Sequence, residues 1–419
     1  MKTKFELITL KLEYFIAKRL ITSKNHKSSI SAPIIKIAIT AIAVGMIMMI
    51  VSIATGIGLQ EKIREKVSAF NGHIIISGYN DNNSDVSIKP ISSIQSFYPN
   101  FKNVDGITHV QAIANKAGII RTETAFEGVI FKGVGGDYQT NYLNEYLISG
   151  RFPNLKSNLN EEVLISQYLC NRLGLKLGDH FVTYFMKESN QGYNLRNFKI
   201  VGVYSSGFQE FDANYIIGDI RHVQRINKWS PTQIGSFEVF VDDFTQIQSK
   251  GQEVYEATSS KLDSQTIVEK FYYIFEWLKL FDFNILIILI VMIAVSTINM
   301  VVALLVLILE RTQMIGILKA LGANNLTIRK LFLYNSFYLI LRGLFWGNLI
   351  GIGILLIQKY FGIIKLNPES YYVNEAPVSI NIFYILLLNF GTILICLFVL
   401  LIPSYIITKI SPSKSIRFE

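Results

Sequence analysis

Glu310-Arg-Thr-Gln-Met-Ile-Gly-Ile-Leu-Lys-Ala-Leu-Gly-Ala323 is the stretch whose reading decides the fold. It lies between two long apolar runs, so it reads as a tight connection between two membrane spans. Its spacing predicts an amphipathic helix, with Ile315, Leu318 and Leu321 on one side and Arg311 and Lys319 bringing charge. Gly322 followed by Asn324 marks the helix stop. A compact helix on the cytosolic side of a bundle offers a surface on which another protein can push. A plain helical hairpin that only joins two spans fits the same composition.

The rest of the chain supports the membrane reading. Half of the 419 residues are apolar and only 17% are charged, against roughly 25% in a soluble domain. The net charge of +9 does not point to nucleic acid, because the basic residues sit beside apolar runs. Cys170 and Cys396 lie in segments of different character, and no disulfide is expected between them. The N-terminus does not read as a secretory signal, because the first apolar run comes late and is too long.

Four runs are long enough to span, at 37–57, 283–309, 331–358 and 380–402, since a helix needs ~20 apolar residues to cross the hydrocarbon. Lysines and arginines crowd residues 1–33, 310–330 and the tail, whereas Lys359 and Lys365 are balanced by Glu369 and Glu375. The positive-inside rule therefore places both termini and the 310–330 connection in the cytosol. The expected fold is a four-helix membrane protein with a large α+β extracytoplasmic domain inserted between spans one and two. Its divisions are an interfacial helix within 1–33, span one within 34–58, the α+β domain at 59–279 and span two at 280–309. They continue with the cytosolic connection at 310–330, span three at 331–358, an outer loop at 359–379, span four at 380–408 and the tail at 409–419.

In chain order, residues 4–21 predict an amphipathic helix on the cytosolic face, its lysines near anionic membrane lipid, with a cytosolic helix packed on protein as the alternative. Span one is rich in small residues and methionine, which suits either helix packing or a surface for variable apolar partners. Residues 60–70 continue it as a polar helix. Strands are expected at 73–77, 117–121, 129–132, 180–186, 198–204 and 237–241, a strand turning into a helix at 161–175, and helices at 220–229 and 244–262. Asn80 to Asp85 reads as a polar turn, Gly133-Val-Gly-Gly136 as another, and 187–196 as a hairpin loop. The five histidines are scattered without metal-ligand spacing, and no Walker A sequence occurs. No metal site and no catalytic set is expected, and no cofactor in this chain. In span three, Gly343, Gly347 and Gly351 predict a close-approach helix face. Arg342 falls near mid-membrane, where a charge costs at least ~2.5 kcal/mol, so it is expected to hydrogen-bond near Ser296, Thr297 and Asn299, snorkelling from a shifted span being the alternative.

Glu310-Arg-Thr-x-x-Ile-Gly-x-Leu-Lys-Ala-Leu-Gly-Ala323 resembles the core motif of the FtsX/MacB-type ABC permeases. Within that superfamily, several stretches resemble the lipoprotein-releasing permeases: Tyr14-Phe-Ile-Ala-Lys-Arg19, Gly150-Arg-Phe-Pro153, Leu173-Gly-Leu-Lys-Leu-Gly-Asp179 and Phe198-Lys-Ile-Val-Gly-Val203. Gly207-Phe-Gln-Glu-Phe-Asp212, Tyr371-Tyr-Val373 with Pro377, and Pro412 to Glu419 complete the set. The resemblance implies a non-catalytic inner-membrane subunit that pairs with a second permease and with a cytosolic ABC ATPase dimer, which binds the ATP. It implies that the ATPase engages Glu310, Arg311, Met314, Ile315, Leu318, Lys319, Leu321 and Gly322.

In the lipoprotein-releasing branch, a lipoprotein enters from the outer leaflet between spans one and two and passes to a periplasmic carrier. On that implication Met46, Met49, Ile50 and Ile53, with Ile288, Val291 and Val295, are expected to line the cavity. Tyr193 and Leu195 are expected to dock the carrier. The chain departs from the family pattern at Met314, where glutamate is frequent, and in a short 187–196 hairpin. An efflux permease for drugs or peptides and a signalling subunit that controls a cell-wall hydrolase are the alternative readings.

Overall fold

The first helix outlasts its apolar run. In the computed structural model α1 extends over Ser31–Asn71, because good helix formers follow Leu59 while Leu59, Ile63, Val67 and Phe70 keep one buried stripe. It stops where Gly72 adopts φ +68° and returns its N–H to the Ser68 carbonyl at 2.7 Å. The structure describes residues 31–79, 84–156, 159–187 and 192–409. The helix expected at 4–21, most of the turn at 80–85, the tip of the 187–196 hairpin and the terminal stretch 412–419 fall outside them. The described chain forms two units, one of residues 60–278 with 365–375, the other of the remaining residues.

The 60–278 unit is a mixed α+β fold. Its strands are β1 Ile74–Gly78, β2 Ile91–Ser92, β3 Ile107–Arg121, β4 Phe126–Val134, β5 Leu147–Gly150 and β6 Glu162–Ser166. There follow β7 His180–Met186, β8 Tyr193–Tyr204, β9 Tyr215–Asp219, β10 Gln233–Ile234, β11 Ser236–Val241 and β12 Leu262–Thr266. Ten of them form one sheet in the order β12-β1-β11-β3-β4-β9-β6-β8-β5, with β7 bonded to both β3 and β8. Through β7 the strands β3, β4, β9, β6 and β8 close into a ring. Alternation along these strands sends Phe131, Phe185, Phe198, Ile165 and Ile216 into one core.

Helices α2 Gln167–Leu173, α3 Gln209–Asn214, α4 Ile220–Asn227 and α5 Ile247–Ala257 join the strands. Ser166 caps α2 by accepting from Leu169 N–H, and Asp219 caps α4 by accepting from Arg221 N–H. Gly133, expected in a turn, lies in β4, where a β-carbon would stand 2.7 Å from the Ile220 Cα; the turn starts at Gly135.

The loop expected at 187–196 is shorter, because 193–196 already belong to β8 and pair with β7, and two further expectations need correction. The helix expected at 244–262 is a short turn at Phe244–Gln246 followed by α5, which ends at Ala257. The Thr258-Ser-Ser260 stretch favours a bend over helix, and Leu262–Thr266 pairs with β1 as a strand. The strand expected at 117–121 begins ten residues earlier, at Ile107. Its polar residues obscured it, and they are satisfied in place: Gln111 donates to the Glu238 carboxylate at 2.8 Å and Asn115 to the Asp85 carbonyl at 3.0 Å.

Glu238 also belongs to a buried ion pair. Lys132 Nζ lies 2.5 Å from Glu238 Oε1 and donates at 2.5 Å to the Phe70 carbonyl in the last turn of α1. A cation at that end complements the helix dipole. Burial pulls the Lys132 pKa down, with Glu238 opposing the shift.

In the other unit, α6 Tyr272–Glu310 from Lys279 onward, α7 Thr312–Ala320, α8 Asn325–Phe361 and α9 Ile382–Ser404 join the first part of α1. By length and composition, α1, α6, α8 and the helical stretch Ile382–Lys409 can each cross a membrane.

Candidate functional site

The site is built from the connection between α6 and α8 and from the faces that the four long helices present. Arg311 breaks α6 at φ −98°, ψ 17°, and α7 starts at once. It closes as the spacing predicts: Gly322 takes φ +91°, Ala323 N–H bonds to the Leu318 carbonyl at 2.9 Å, and Asn324 caps α8 by accepting from Thr327 N–H at 2.7 Å. The amphipathic face is turned differently from the expectation. Ile315 and Gly316 are buried, and Met314 and Leu318 pack on the bundle core. Leu321 does not share that side. It is 79% exposed, on the side of exposed Gln313 and Ile317, at intervals of four along α7. Lys319 reaches back to the Ile407 carbonyl at 2.7 Å. Of the coupling set, Glu310, Leu321 and Gly322 are exposed, Arg311 and Lys319 intermediate, and Met314, Ile315 and Leu318 turned to the bundle.

Above this connection the helices form a ring of neighbours. Gly343 and Gly347 admit α1: a β-carbon on either would stand 2.7 Å from the Cβ of Ile42 or Met46. Gly351 faces Ile47 and Ile50 at ordinary contact, 3.5 Å. Gly45 of α1 meets Ser296 of α6, whose Oγ would lie 2.5 Å from an added β-carbon. Thr297 Oγ1 is 3.6 Å from Cys396 Sγ, joining α6 to α9. Asn348 and Asn389 exchange side-chain hydrogen bonds of 2.7 and 3.0 Å between α8 and α9. Sequence reasoning did not single out this pair; its signal is an amide in each of two apolar runs.

These contacts separate the residues expected to line a cavity. Met46, Met49 and Ile50 are buried in the core shared with α8, and Ile53 joins Ile50 in a small cleft against α8 and α9. Val291 and Val295 are exposed on α6, and Ile288 is half-buried. The two groups are therefore not brought together. What lies beside Val291 and Val295 is the other flank of α1, because Gly45 faces Ser296 while Val44 and Met48 are left exposed.

Arg342 also differs from expectation. It is exposed, with its guanidinium 4.5 Å from the Tyr338 ring centre. Asn299 donates to the Val295 carbonyl one turn back at 2.9 Å, so the expected contact between them is not formed. The helical phase of α8 is set by its glycines against α1, which carries Arg342 away from α6.

In the 60–278 unit, Tyr193 and Leu195 are exposed on β8. The register pairs Met186 with Tyr193, Tyr184 with Leu195, and Ile119 with Tyr184, so their side chains share one face of β3, β7 and β8. Among the described residues, no group of three or more His, Cys, Asp or Glu side chains is placed to hold a metal.

Residues 37–264 match the model of the MacB-like periplasmic core domain, more than half of the chain. Residues 286–412 match the FtsX-like permease C-terminal model. The lipoprotein-releasing system transmembrane protein LolC of Buchnera aphidicola is 23% identical over 392 residues, covering 92% of this chain and 94% of that protein. LolC of Neisseria meningitidis is 23% identical, covering 97% and 99%. LolE of Haemophilus influenzae, described by the same system name, is 21% identical, covering 96% and 98%. Both halves of the chain, the strand unit and the helices around the 310–323 connection, thus carry the mark of one family, and the chain belongs to the FtsX/MacB family of ABC transporter permeases.

Proposed function

We propose that this chain is the permease subunit of a transporter that lifts lipoproteins from the outer leaflet of the inner membrane and hands them to a periplasmic carrier. The observation that carries this reading is the full-length similarity to relatives named for lipoprotein release, through the strand unit as well as the helices. A cytosolic ABC ATPase dimer binds the ATP, and a second permease subunit, identical or homologous, completes the assembly. Both termini and α7 lie in the cytosol, and residues 59–279 form the periplasmic domain between spans one and two.

The exposed row of Gln313, Ile317 and Leu321 is the surface offered to the ATPase, while Met314, Ile315 and Leu318 anchor the helix to the bundle. Acyl chains rest on the outer flank of α1 and α6, on Val44 and Met48 with Val291 and Val295. Drawing those chains from a bilayer costs ~0.8 kcal/mol per CH₂, which calls for an external energy source. The exposed face of Tyr193, Leu195, Met186 and Ile119 receives the carrier.

Depletion of the protein, followed by fractionation of acylated lipoproteins, tests the reading. Retention in the inner membrane is expected. Normal delivery to the carrier would remove the lipoprotein assignment and leave the efflux and signalling readings.

A further inference from the structure

Two of the stretches quoted above, Gly207 to Asp212 and Tyr371 to Val373, have no part in the function as proposed so far, and they meet in the 60–278 unit. Residues 365–375 fold as a narrow clip: the backbones of Lys365 and Glu375 form an antiparallel β-bridge, Leu366 N–H bonds to the Asn374 carbonyl at 2.9 Å, and Tyr372 N–H to the Pro368 carbonyl at 2.9 Å. Tyr372 sits in the clip at φ +59°, a left-handed conformation rare for an aromatic residue.

Three elements hold it there. Its ring stacks on Phe208 at 4.5 Å and 22°, and Trp277 of α6 meets it edge-on at 5.6 Å. Lys66 of α1, itself buried, donates to the Tyr372 carbonyl at 2.9 Å. Phe208 is presented by a turn tied to Asp212, whose carboxylate accepts from Ser206 N–H at 2.9 Å and Gly207 N–H at 3.1 Å. Gly207, at φ +65°, leaves the space beside Lys66, since a β-carbon there would lie 3.2 Å from Nζ. Burial lowers the Lys66 amine to about 8, against the pull of Asp212 and Glu145.

The chain enters or leaves this unit along α1, α6 and the 365–375 segment. Tyr372, in the third, touches the other two through Lys66 and Trp277. A strained backbone persists where its surroundings over-determine it. We propose that Tyr372 is a positioning residue that locks the 365–375 clip to α1 and α6, so that the three routes move as one when the partner ATPase turns over. The proposal rests on the permease reading.

The test compares Tyr372→Gly and Tyr372→Phe with wild type in the full complex with its ATPase, reconstituted in lipid. Glycine removes the ring and suits the positive φ, so the fold is retained; phenylalanine keeps the ring. Hydrogen exchange over 365–375 is expected to rise at least tenfold in Tyr372→Gly and to stay at the wild-type level in Tyr372→Phe. Lipoprotein release is expected to fall at least tenfold in the glycine variant alone, with ATP hydrolysis continuing. Unchanged exchange in the clip, or wild-type release from Tyr372→Gly, would overturn the proposal. If the wild-type complex releases no lipoprotein, the lipoprotein reading fails by itself. The lock is then judged by the ATP-dependent change in exchange over β7 and β8: its loss in Tyr372→Gly supports the lock, and its persistence overturns it.

Discussion

Gly347 of α8 lies so close to Met46 of α1 that a β-carbon on it would stand 2.7 Å from the Met46 Cβ and 2.9 Å from the Ala43 carbonyl. Even alanine must therefore push the helices apart. Overpacking of this kind costs about 1–3 kcal/mol. Gly347→Ala is expected to lower the thermal midpoint of the detergent-solubilised chain by several degrees, and Gly343→Ala, facing Ile42, to do the same. Gly353 on the same helix has nothing within 4 Å of an added β-carbon, so Gly353→Ala is the control and should lose nothing. Equal midpoints for all three variants would sink this account of the α1–α8 contact.

The Lys132–Glu238 pair gives a second prediction. Both side chains are 2% exposed, and removing one partner strands the other charge. Breaking a buried pair costs about 3–5 kcal/mol, whereas replacing both partners by apolar residues is often neutral. Glu238→Gln is expected to destabilise the chain strongly, and Lys132→Met with Glu238→Leu to recover most of the loss. Gln111 and the Phe70 carbonyl would remain to be satisfied, so recovery should be incomplete. Thermal unfolding of the single and double variants measures both. A double variant no better than the single would show that the charges themselves are required.

These two examples also mark what the sequence discloses. The four apolar runs, the glycine spacing in α8 and the Gly322-Ala-Asn324 stop are local patterns, and each was legible because helix periodicity and capping are local rules. The phase of α7 was not, because Ile315, Ile317, Leu318 and Leu321 are all apolar and only packing decides which face the bundle takes. The same holds for Met46 and Met49, whose small-residue context fitted both packing and cavity lining. Lys132 and Glu238 are 106 residues apart, and nothing in either strand names the other. Their one visible trace is a charge set among residues such as Phe131 and Phe237.

His73 predicts an acid limit for the strand unit. Its Nδ1 accepts from Val241 N–H at 2.8 Å, and its ring lies edge-on to Phe240 and Phe244, each at 5.6 Å. Burial pushes its pKa from the ordinary 6.5 down to about 4. The unfolded chain then binds more protons between these values, so stability rises with pH across the window. The contribution is whole above pH 6.5 and is lost as pH falls towards 4, at most about 3 kcal/mol. His73→Asn retains an acceptor but does not titrate. The wild-type advantage over His73→Asn should therefore shrink between pH 6.5 and 4. A difference that stays flat across that window would mean that His73 is not held neutral.

The last prediction separates the two faces of α7. Ile315 is fully buried in the bundle core, whereas Ile317 and Leu321 are 46% and 79% exposed. If this exposed face meets the ATPase, then Ile317→Glu with Leu321→Glu should leave the unfolding free energy of the isolated permease within about 0.5 kcal/mol of wild type, as surface changes do. The same pair should cut ATPase association and lipoprotein release at least tenfold. Ile315→Ala should do the reverse at the first step, costing about 2–5 kcal/mol of stability through the cavity it leaves. Met314→Glu is expected to behave like a core change, because Met314 packs against the bundle. Co-purification of the ATPase with each variant, alongside its thermal midpoint, distinguishes the faces. An Ile317/Leu321 variant that still binds and couples would move the docking surface elsewhere on the permease.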